Sequence, residues 1–162
     1  MGCGKSTIGR ELARKLNFMF VDLDEYIVEN QERSIQQIFN EEGEDGFRDI
    51  ERDELAKLSG LFDTVIATGG GTPCFHDNLD WMNATGASIY LKTPPEILAA
   101  RLVPEKQHRP LIAHLNDQEL PDFIHEKILE RSAFYEQAEI IYEQKNEDMP
   151  VAEDLAKLYP FW

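Results

Sequence analysis

The chain opens with Met1-Gly2-Cys3-Gly4-Lys5-Ser6-Thr7, and the spacing of apolar residues predicts a helix over 6–16. Glycine, lysine and a hydroxyl residue at the start of a helix form the tail of a Walker A motif. The glycines let backbone N–H groups turn towards a phosphate, and the dipole at the helix N-terminus favours negative charge. The other interpretation is a glycine-rich helix start with an exposed lysine, because short motifs also match by chance.

The motif predicts a site for the phosphates of a nucleotide. We expect Lys5 to reach the β- and γ-phosphates and the Ser6 hydroxyl to be a ligand of Mg²⁺. A complete motif has a further glycine five residues before Gly4 and a strand ahead of it, and the sequence as written starts at Met1, too late for either. Two explanations stay open: a start codon assigned too far downstream, or a fragment that lacks a central strand.

Short β-type runs alternate with helical patterns along the rest of the chain. They predict buried strands at 18–21, 64–67, 88–91 and 140–142, and helices at 34–40, 49–58, 77–81, 95–102 and 122–135. Such alternation predicts an α/β fold with a doubly wound parallel sheet that helices cover on both faces. No repeat or linker divides the chain, so we expect one domain over 1–162.

The composition narrows the range of partners. With 162 residues, of which 42% are hydrophobic, the chain can bury one core. Its net charge of −15 disfavours nucleic acid and anionic membranes, so an arginine cluster in this protein predicts a local site for an anionic ligand. Two cysteines make no disulfide framework and no apolar run is long enough to span a membrane, which favours the cytoplasm.

Two acids follow the strand predicted at 18–21, in the sequence Val21-Asp22-Leu23-Asp24. Alternate positions of a strand point the same way, and ligands of doubly wound sheets bind at the carboxyl ends of the strands. We expect Asp22 to support Mg²⁺ through water and Asp24 to accept a hydrogen bond from an acceptor hydroxyl. The alternative is an aspartate pair that caps the following helix.

An arginine stands where a helix is predicted to open, in Gly46-Phe47-Arg48-Asp49-Ile50-Glu51. A cation at a helix N-terminus opposes the helix dipole, so surface stabilisation explains Arg48 poorly. A carboxylate ligand explains it better, with Glu51 one turn later to orient the guanidinium. A solvated surface charge is the alternative.

Three glycines end the strand predicted at 64–67, in Thr68-Gly69-Gly70-Gly71-Thr72. Successive glycines allow a ligand to approach the backbone closely, which a simple flexible turn rarely requires. We expect Gly70 to be the main backbone contact, with Gly69 and Gly71 beside it. Further along, the irregular stretch at about 103–120 contains Arg109-Pro110-Leu111, and we expect it to be a lid rather than a disordered loop.

The ordered set of these motifs resembles the shikimate kinase family over nearly the whole chain. The set is a partial Walker A motif, Asp-x-Asp, Phe-Arg-x-x-Glu, Gly-Gly-Gly, Arg-Pro-Leu and a later Arg-x-x-x-Tyr that begins at Arg131. The resemblance implies the P-loop fold with strands in the order 2-3-1-4-5, strand 1 being missing from this sequence. It also implies transfer of the γ-phosphate of ATP to the 3-hydroxyl of shikimate.

The resemblance also implies roles for single residues. Asp24 would hold the hydroxyl groups of shikimate, while Arg48 and Arg131 would bind its carboxylate. Arg109 on the lid would contact ATP phosphate, and Arg101 would lie near the adenine, unless it is only a cation at a helix C-terminus. The predicted catalytic residues are Lys5, Asp24 and Arg109. The predicted nucleotide-binding residues are Gly2, Cys3, Gly4, Lys5, Ser6, Thr7, Arg101 and Arg109; the substrate-binding residues are Asp24, Arg48, Glu51, Gly69, Gly70, Gly71 and Arg131; and the metal ligands are Ser6 and Asp22.

The sequence therefore predicts a cytoplasmic, monomeric kinase whose partners are ATP, with Mg²⁺, and shikimate. A gluconate-type or nucleoside-type kinase would share Lys5 and Ser6 but would not require Arg48, Glu51 and the glycine triplet together. An inactive nucleotide-binding fragment is the other alternative, because the first strand is missing.

Overall fold

The computed structural model describes residues 2–108, 112–146 and 148–159. Its helices are α1 (Lys5–Leu16), α2 (Leu23–Gln31), α3 (Ile35–Lys57), α4 (Asn78–Thr85), α5 (Pro95–Leu102), α6 (Leu120–Tyr135) and α7 (Val151–Leu158). Its strands are β1 (Met19–Asp22), β2 (Thr64–Ala67), β3 (Ile89–Lys92) and β4 (Ile140–Glu143). Among these described residues, no helix combines the length and the apolar character needed to cross a membrane.

The chain divides into two compact units. Unit I consists of Met1–Gly4 with Ala87–Pro150, and unit II consists of Lys5–Gly86 with Val151–Trp162. The expectation of one domain over 1–162 stays a prediction.

Unit II is built on the parallel pair β1–β2, in which Met19 lies opposite Thr64 and Asp22 opposite Ala67. Helix α1 packs so closely on this pair that a Cβ added at Gly9 would lie 2.7 Å from the ring of Phe20. The core consists of Leu23, Ile27, Ile38, Phe47, Leu55 and Leu58, all buried. Each fully buried leucine or isoleucine contributes about 2 kcal/mol to stability. Because this core clamps α2 and α3 together, it fixes the side chains that both helices carry.

Unit I is built on the second parallel pair, β3–β4, in which Ile89 lies opposite Ile140 and Lys92 opposite Glu143. Its core lies between α5, α6 and the segment that joins them. The buried members are Leu98, Ala99, Leu102, Ile112, Leu120 and Ile124, and Cys3 packs against them.

The predicted strands are confirmed: β2 has the predicted bounds, and the ends of the other three differ from the prediction by at most one residue. When β1 to β4 are given places 2 to 5, the pairs β1–β2 and β3–β4 are both neighbours in the predicted order 2-3-1-4-5. The complete order stays a prediction.

The two helices predicted at 34–40 and 49–58 are the two segments of α3 (Ile35–Lys57), and the second begins earlier than predicted. They meet at Gly43, whose φ of 74° and ψ of −172° are not helical. Glycine adopts this conformation at no steric cost, so the chain can bend without leaving the helix pattern on either side. Ser34 caps the element with a side chain that accepts from the N–H of Gln37. As a result, Arg48 lies more than one turn beyond the kink and not at a helix start, so the dipole argument for it was wrong.

The stretch at about 103–120 is more regular than the sequence indicated. A 3-10 helix covers Val103–His108, and α6 already begins at Leu120. The first turn of α6 accommodates Pro121, because a backbone N–H in a first turn has no partner within the helix and proline lacks this N–H. Arg109, Pro110 and Leu111 lie outside the described residues, so the predicted lid stays a prediction.

Candidate active site

The segment that leads into α1 has the backbone of a phosphate-binding turn. Gly2 has φ 75° and Gly4 has φ 84°, the left-handed region that side-chain-bearing residues rarely adopt. Helix α1 then begins at Lys5, and its first turn contains no acidic residue that would neutralise the dipole. The start of α1 therefore attracts an anion, as the motif predicts.

Ser6 and Asp22 connect the start of α1 to the end of β1. The Ser6 hydroxyl donates to Asp22 Oδ2 at 2.6 Å, and Asp22 Oδ1 accepts from the backbone N–H of Asp24 at 3.1 Å. Asp22 is therefore the N-cap of α2, and Asp24 is not. This corrects the expectation that both acids extend from a strand, because the chain turns into α2 directly after Asp22 and places Asp24 in the first helical turn.

Asp24 lies in a charged neighbourhood while its side chain keeps contact with solvent. Partial burial of the carboxyl, and then the nearby charges of Asp22 and Glu51, raise the pKa of Asp24 above its ordinary value. Lys5 and Arg48 act in the opposite direction but do not cancel this effect. In unit II, the fold thus brings Lys5, Asp22, Asp24, Arg48 and Glu51 within electrostatic reach of one another.

Arg48 and Glu51 form a buried ion pair on α3. Arg48 is 8% exposed and Glu51 is 1% exposed, and Arg48 Nη1 donates to Glu51 Oε2 at 2.7 Å. Glu51 thus contacts the Arg48 guanidinium, and its predicted role in orienting that group stays a prediction. A second carboxylate, the exposed Glu44, accepts from Arg48 Nη2 at 3.3 Å. The Nε of Arg48 is buried and has no hydrogen-bond partner in the part of the chain that the structure describes.

The glycine triplet after β2 provides the space for this ion pair. A Cβ added at Gly71 would lie 2.6 Å from Arg48 Nη2, and one added at Gly69 would lie 3.0 Å from Glu51 Oε1. The side chain of Asp24 is also close to Gly69, at 3.4 Å from such a Cβ. Gly69 and Gly71 therefore border the charged side chains directly, and Gly70 stands between them in the same turn.

Arg101, in unit I, forms hydrogen bonds in addition to its favourable interaction with a helix dipole. It stands in the last turn of α5, where the dipole favours a cation. Its Nη1 also donates to the carbonyl of Gly2 at 3.5 Å and to Gln144 Oε1 at 3.3 Å, and Gln144 Nε2 donates to the carbonyl of Cys3 at 3.3 Å. The side chains of Arg101 and Gln144 thus bind the backbone carbonyls of Gly2 and Cys3. Arg131 lies half-buried on α6.

The sequence reasoning missed three residues next to the Arg48–Glu51 pair. Thr72 Oγ1 donates to Glu51 Oε1 at 2.6 Å, Asn78 Nδ2 donates to the carbonyl of Thr72 at 2.9 Å, and the Phe75 ring faces the guanidinium of Arg48. No local pattern marks them, because Thr72 and Glu51 are 21 positions apart in the chain. Their proximity to the glycine triplet was the one available signal.

These features define a class of protein before any comparison is made. A helix that starts at a lysine after left-handed glycines, in an α/β fold of parallel strands, is typical of P-loop proteins. A buried cation beside two acids in the same unit adds a second polar site.

Known proteins identify the family within that class. The family model described as shikimate kinase matches residues 1–159. A shikimate kinase of Phocaeicola vulgatus is 45% identical over 142 residues, which cover 88% of this chain and 81% of that protein. The crystal structure of a shikimate kinase from Bacteroides thetaiotaomicron has a TM-score of 0.91 and 40% identity, and covers 98% of this chain and 93% of that chain. A shikimate kinase from Acinetobacter baumannii in complex with shikimate has a TM-score of 0.81 and 32% identity, and covers 97% of this chain and 84% of that chain.

The chain belongs to the shikimate kinase family. The predicted family, the α/β fold class and the predicted activity, an ATP-dependent transfer of phosphate to an alcohol group, are confirmed at this level.

Proposed function

We propose that the chain phosphorylates the 3-hydroxyl of shikimate with ATP, and that Arg48 binds the carboxylate of shikimate. The observation that carries this proposal is the buried guanidinium of Arg48, which Glu51 holds on one side while Nε has no partner within the described residues. A buried donor without a partner costs about 1–3 kcal/mol. A carboxylate ligand removes this cost, since it accepts from two guanidinium N–H groups at once.

The phosphates of ATP bind at the start of α1 in this proposal. Lys5 supplies the positive charge for the β- and γ-phosphates, and the glycines before it supply inward-facing N–H groups. Phosphoryl transfer needs positioning and charge neutralisation rather than covalent chemistry from the protein. Lys5 is therefore the residue on which turnover depends most.

Mg²⁺ fits the pair Ser6 and Asp22. Both side chains offer hard oxygen atoms, and they already lie 2.6 Å apart. Among the described residues there is no cluster of three or more His, Cys, Asp or Glu side chains that could hold a metal. Mg²⁺ binds through one or two protein oxygens together with water and substrate phosphates. When bound, the ion neutralises charge that develops on the transferred phosphate.

Asp24 aligns the acceptor hydroxyl. Its raised pKa brings the carboxyl nearer to the range in which it can accept a proton late in the transfer. Asp24 can also contribute by orienting the hydroxyl alone, because the attacking oxygen becomes acidic only as its bond to phosphorus forms.

The remaining roles rest on the family resemblance. We propose that Arg131 takes part in binding the shikimate carboxylate, that Arg101 lies near the adenine, and that Arg109 acts from a lid over about 103–120. A monomer in the cytoplasm, without nucleic-acid or membrane partners, follows from the acidic composition.

A single assay tests the proposal. ADP release is measured with shikimate, with gluconate and without an acceptor, and binding of shikimate is measured separately by calorimetry. Turnover with shikimate alone is the expected result. Turnover with gluconate, or hydrolysis that does not depend on an acceptor, would instead assign a different kinase or a nucleotide-binding module.

A further inference from the structure

Thr72 is a buried hydroxyl residue that no step of the proposed reaction uses. It is 0% exposed, and its Oγ1 donates to Glu51 Oε1 at 2.6 Å. Its backbone is held at both ends, since Asn78 Nδ2 donates to its carbonyl at 2.9 Å and its N–H donates to the carbonyl of Gly69 at 3.3 Å. The hydroxyl is therefore presented to Glu51 from a rigid turn.

The two oxygens of Glu51 face different partners. Oε1 accepts from Thr72 and Oε2 accepts from Arg48 Nη1 at 2.7 Å. A carboxylate with one anchored oxygen cannot rotate about its last bond without breaking that contact, so the Thr72 hydroxyl fixes the direction in which Oε2 points. At 1% exposure, water cannot replace the missing donor if the hydroxyl is removed.

The same turn also contacts Arg48 directly. The Phe75 ring centroid lies 4.1 Å from Arg48 Cζ, and a Cβ on Gly71 would collide with Arg48 Nη2. A cation this close to an aromatic face is attracted to it, and the ring restricts the plane of the guanidinium. The segment 71–75 thus limits both the tilt and the rotation of Arg48.

We propose that Thr72 is a positioning residue for shikimate recognition, which acts through Glu51 on Arg48, and that Phe75 supports the same guanidinium from its face. This rests on the proposed role of Arg48 in binding the shikimate carboxylate. Bidentate recognition of a carboxylate depends strongly on the direction of the guanidinium, whereas binding of ATP phosphates at the start of α1 does not involve it. The effect of Thr72 is therefore specific to one of the two substrates.

The test compares Thr72→Val with Thr72→Ser. Valine keeps the shape and removes the hydroxyl, whereas serine keeps the hydroxyl. We expect Thr72→Val to raise the KM and Kd for shikimate about tenfold, with the KM for ATP changed less than about twofold, because one hydrogen bond to a charged group is lost. Thr72→Ser should stay within about threefold of the wild type for both substrates, and Phe75→Leu should raise the KM for shikimate about threefold.

Asn30→Ala is the matched control for lost stability. Asn30 Nδ2 donates at 2.7 Å to Glu54, a second buried carboxylate on α3. The variant removes a comparable hydrogen bond and lowers the unfolding temperature, and it should leave the KM values of both substrates unchanged. All variants are assayed at least about 15 °C below their own unfolding temperatures, so that less than a few per cent of each is unfolded.

Three results would overturn the assignment of Thr72: an unchanged shikimate KM in Thr72→Val, an equal rise of the KM for ATP, or a loss in Thr72→Ser as large as that in Thr72→Val. Failure of the proposed function looks different, because the wild type itself would then neither bind nor phosphorylate shikimate.

Discussion

Two buried glutamates stand on neighbouring turns of α3, and they differ in what surrounds them. Glu51 and Glu54 are each 1% exposed. Glu54 accepts from Asn30, Gln31 and Lys57 at 2.7, 2.8 and 2.9 Å, so its oxygens are fully satisfied by groups that tie α2 to α3. Glu51 is bound to Thr72 and to Arg48, whose Nε has no partner in the part of the chain that the structure describes.

The difference separates a structural network from a binding site. The network around Glu54 is complete, and its cation, Lys57, remains 56% exposed at the side chain, where water compensates it. The network around Glu51 leaves a buried donor of Arg48 available, which costs stability unless a ligand supplies the acceptor. A buried hydrogen-bond network with an unsatisfied donor, beside a glycine-lined turn, therefore indicates a binding site. Burial of a charged group alone does not indicate one.

The largest expected effect comes from removing the cation of the Glu51 network. Arg48→Ala should lower kcat/KM for shikimate by about a thousandfold, because it removes the side chain that binds the shikimate carboxylate and leaves Glu51 buried without its cation. Binding of ATP should change by less than about threefold. Steady-state kinetics with each substrate varied in turn measure both values.

Lys57→Ala is the matched control, since Lys57 stands three residues from Glu54 just as Arg48 stands three residues from Glu51. Its effect on both substrates should be negligible, as expected for an exposed partner. Equal losses for ATP and shikimate in Arg48→Ala would contradict the role of Arg48.

Glu54→Gln tests the structural side of the comparison. The new amide NH₂ group replaces one of the two oxygens and therefore faces either Asn30 Nδ2 or the pair Gln31 Nε2 and Lys57 Nζ. At least one hydrogen bond to this side chain is lost, and the free energy of unfolding should fall by about 2 kcal/mol. Urea denaturation measures the loss, and the KM values for ATP and shikimate in the folded enzyme should not change. A rise of the shikimate KM comparable to that of Arg48→Ala would show that the two networks are not separate.

Gly71→Ala tests the site side of the comparison, and it should weaken shikimate binding together with a loss of stability of about 1–3 kcal/mol from overpacking beside a buried side chain. The added Cβ would lie 2.6 Å from Arg48 Nη2, so the guanidinium has to move while the backbone stays in place. We expect the KM for shikimate to rise about tenfold. Gly60→Ala is the control, because a Cβ at Gly60 meets nothing within 4 Å; a similar rise in that variant would assign the effect to backbone rigidity.

The smallest expected change in stability concerns its dependence on pH, to which the carboxyl groups of Asp24 and Glu54 should contribute in opposite directions. Burial by itself raises the pKa of Glu54, but hydrogen bonds from Lys57, Asn30 and Gln31 outweigh it, so the pKa of Glu54 is lowered. Its contribution to stability is present above the ordinary pKa of glutamate and is lost as the pH falls through the lowered value. The pKa of Asp24 is raised by partial burial, by Asp22 and by Glu51, so its charge destabilises the fold at neutral pH and this cost disappears as the pH falls through the raised value.

Asp24→Asn should therefore raise the unfolding temperature slightly at neutral pH while it abolishes phosphorylation of shikimate. Calorimetry at neutral and at acidic pH measures the change, which should shrink at acidic pH. The control is Glu29→Gln, an exposed acid on the same helix α2. A lower unfolding temperature for Asp24→Asn at neutral pH would contradict a destabilising charge on Asp24.

Much of this architecture was predictable from local patterns. The parallel pairs β1–β2 and β3–β4 follow from short β-branched runs that alternate with helical spacing, and the Gly2–Ser6 segment follows from its glycines. The pairing of Arg48 with Glu51 was also accessible, because residues three apart meet on one helix face. Helix α7 was missed although Val151, Ala152 and Leu155 have helical spacing.

The sequence by itself determined which chemical groups the protein carries: a phosphate-binding helix start, acids after a strand, an arginine with its glutamate, and a glycine triplet. These are local features, and neighbouring residues are sufficient to specify them. Only the tertiary structure decided which groups are buried together. The second segment of α3 begins directly after Gly43, so Arg48 is not at a helix start, and the hydroxyl of Thr72 meets Glu51 across 21 positions of chain. Such contacts depend on how α3 packs against the turn after β2, and no short stretch of sequence encodes that packing.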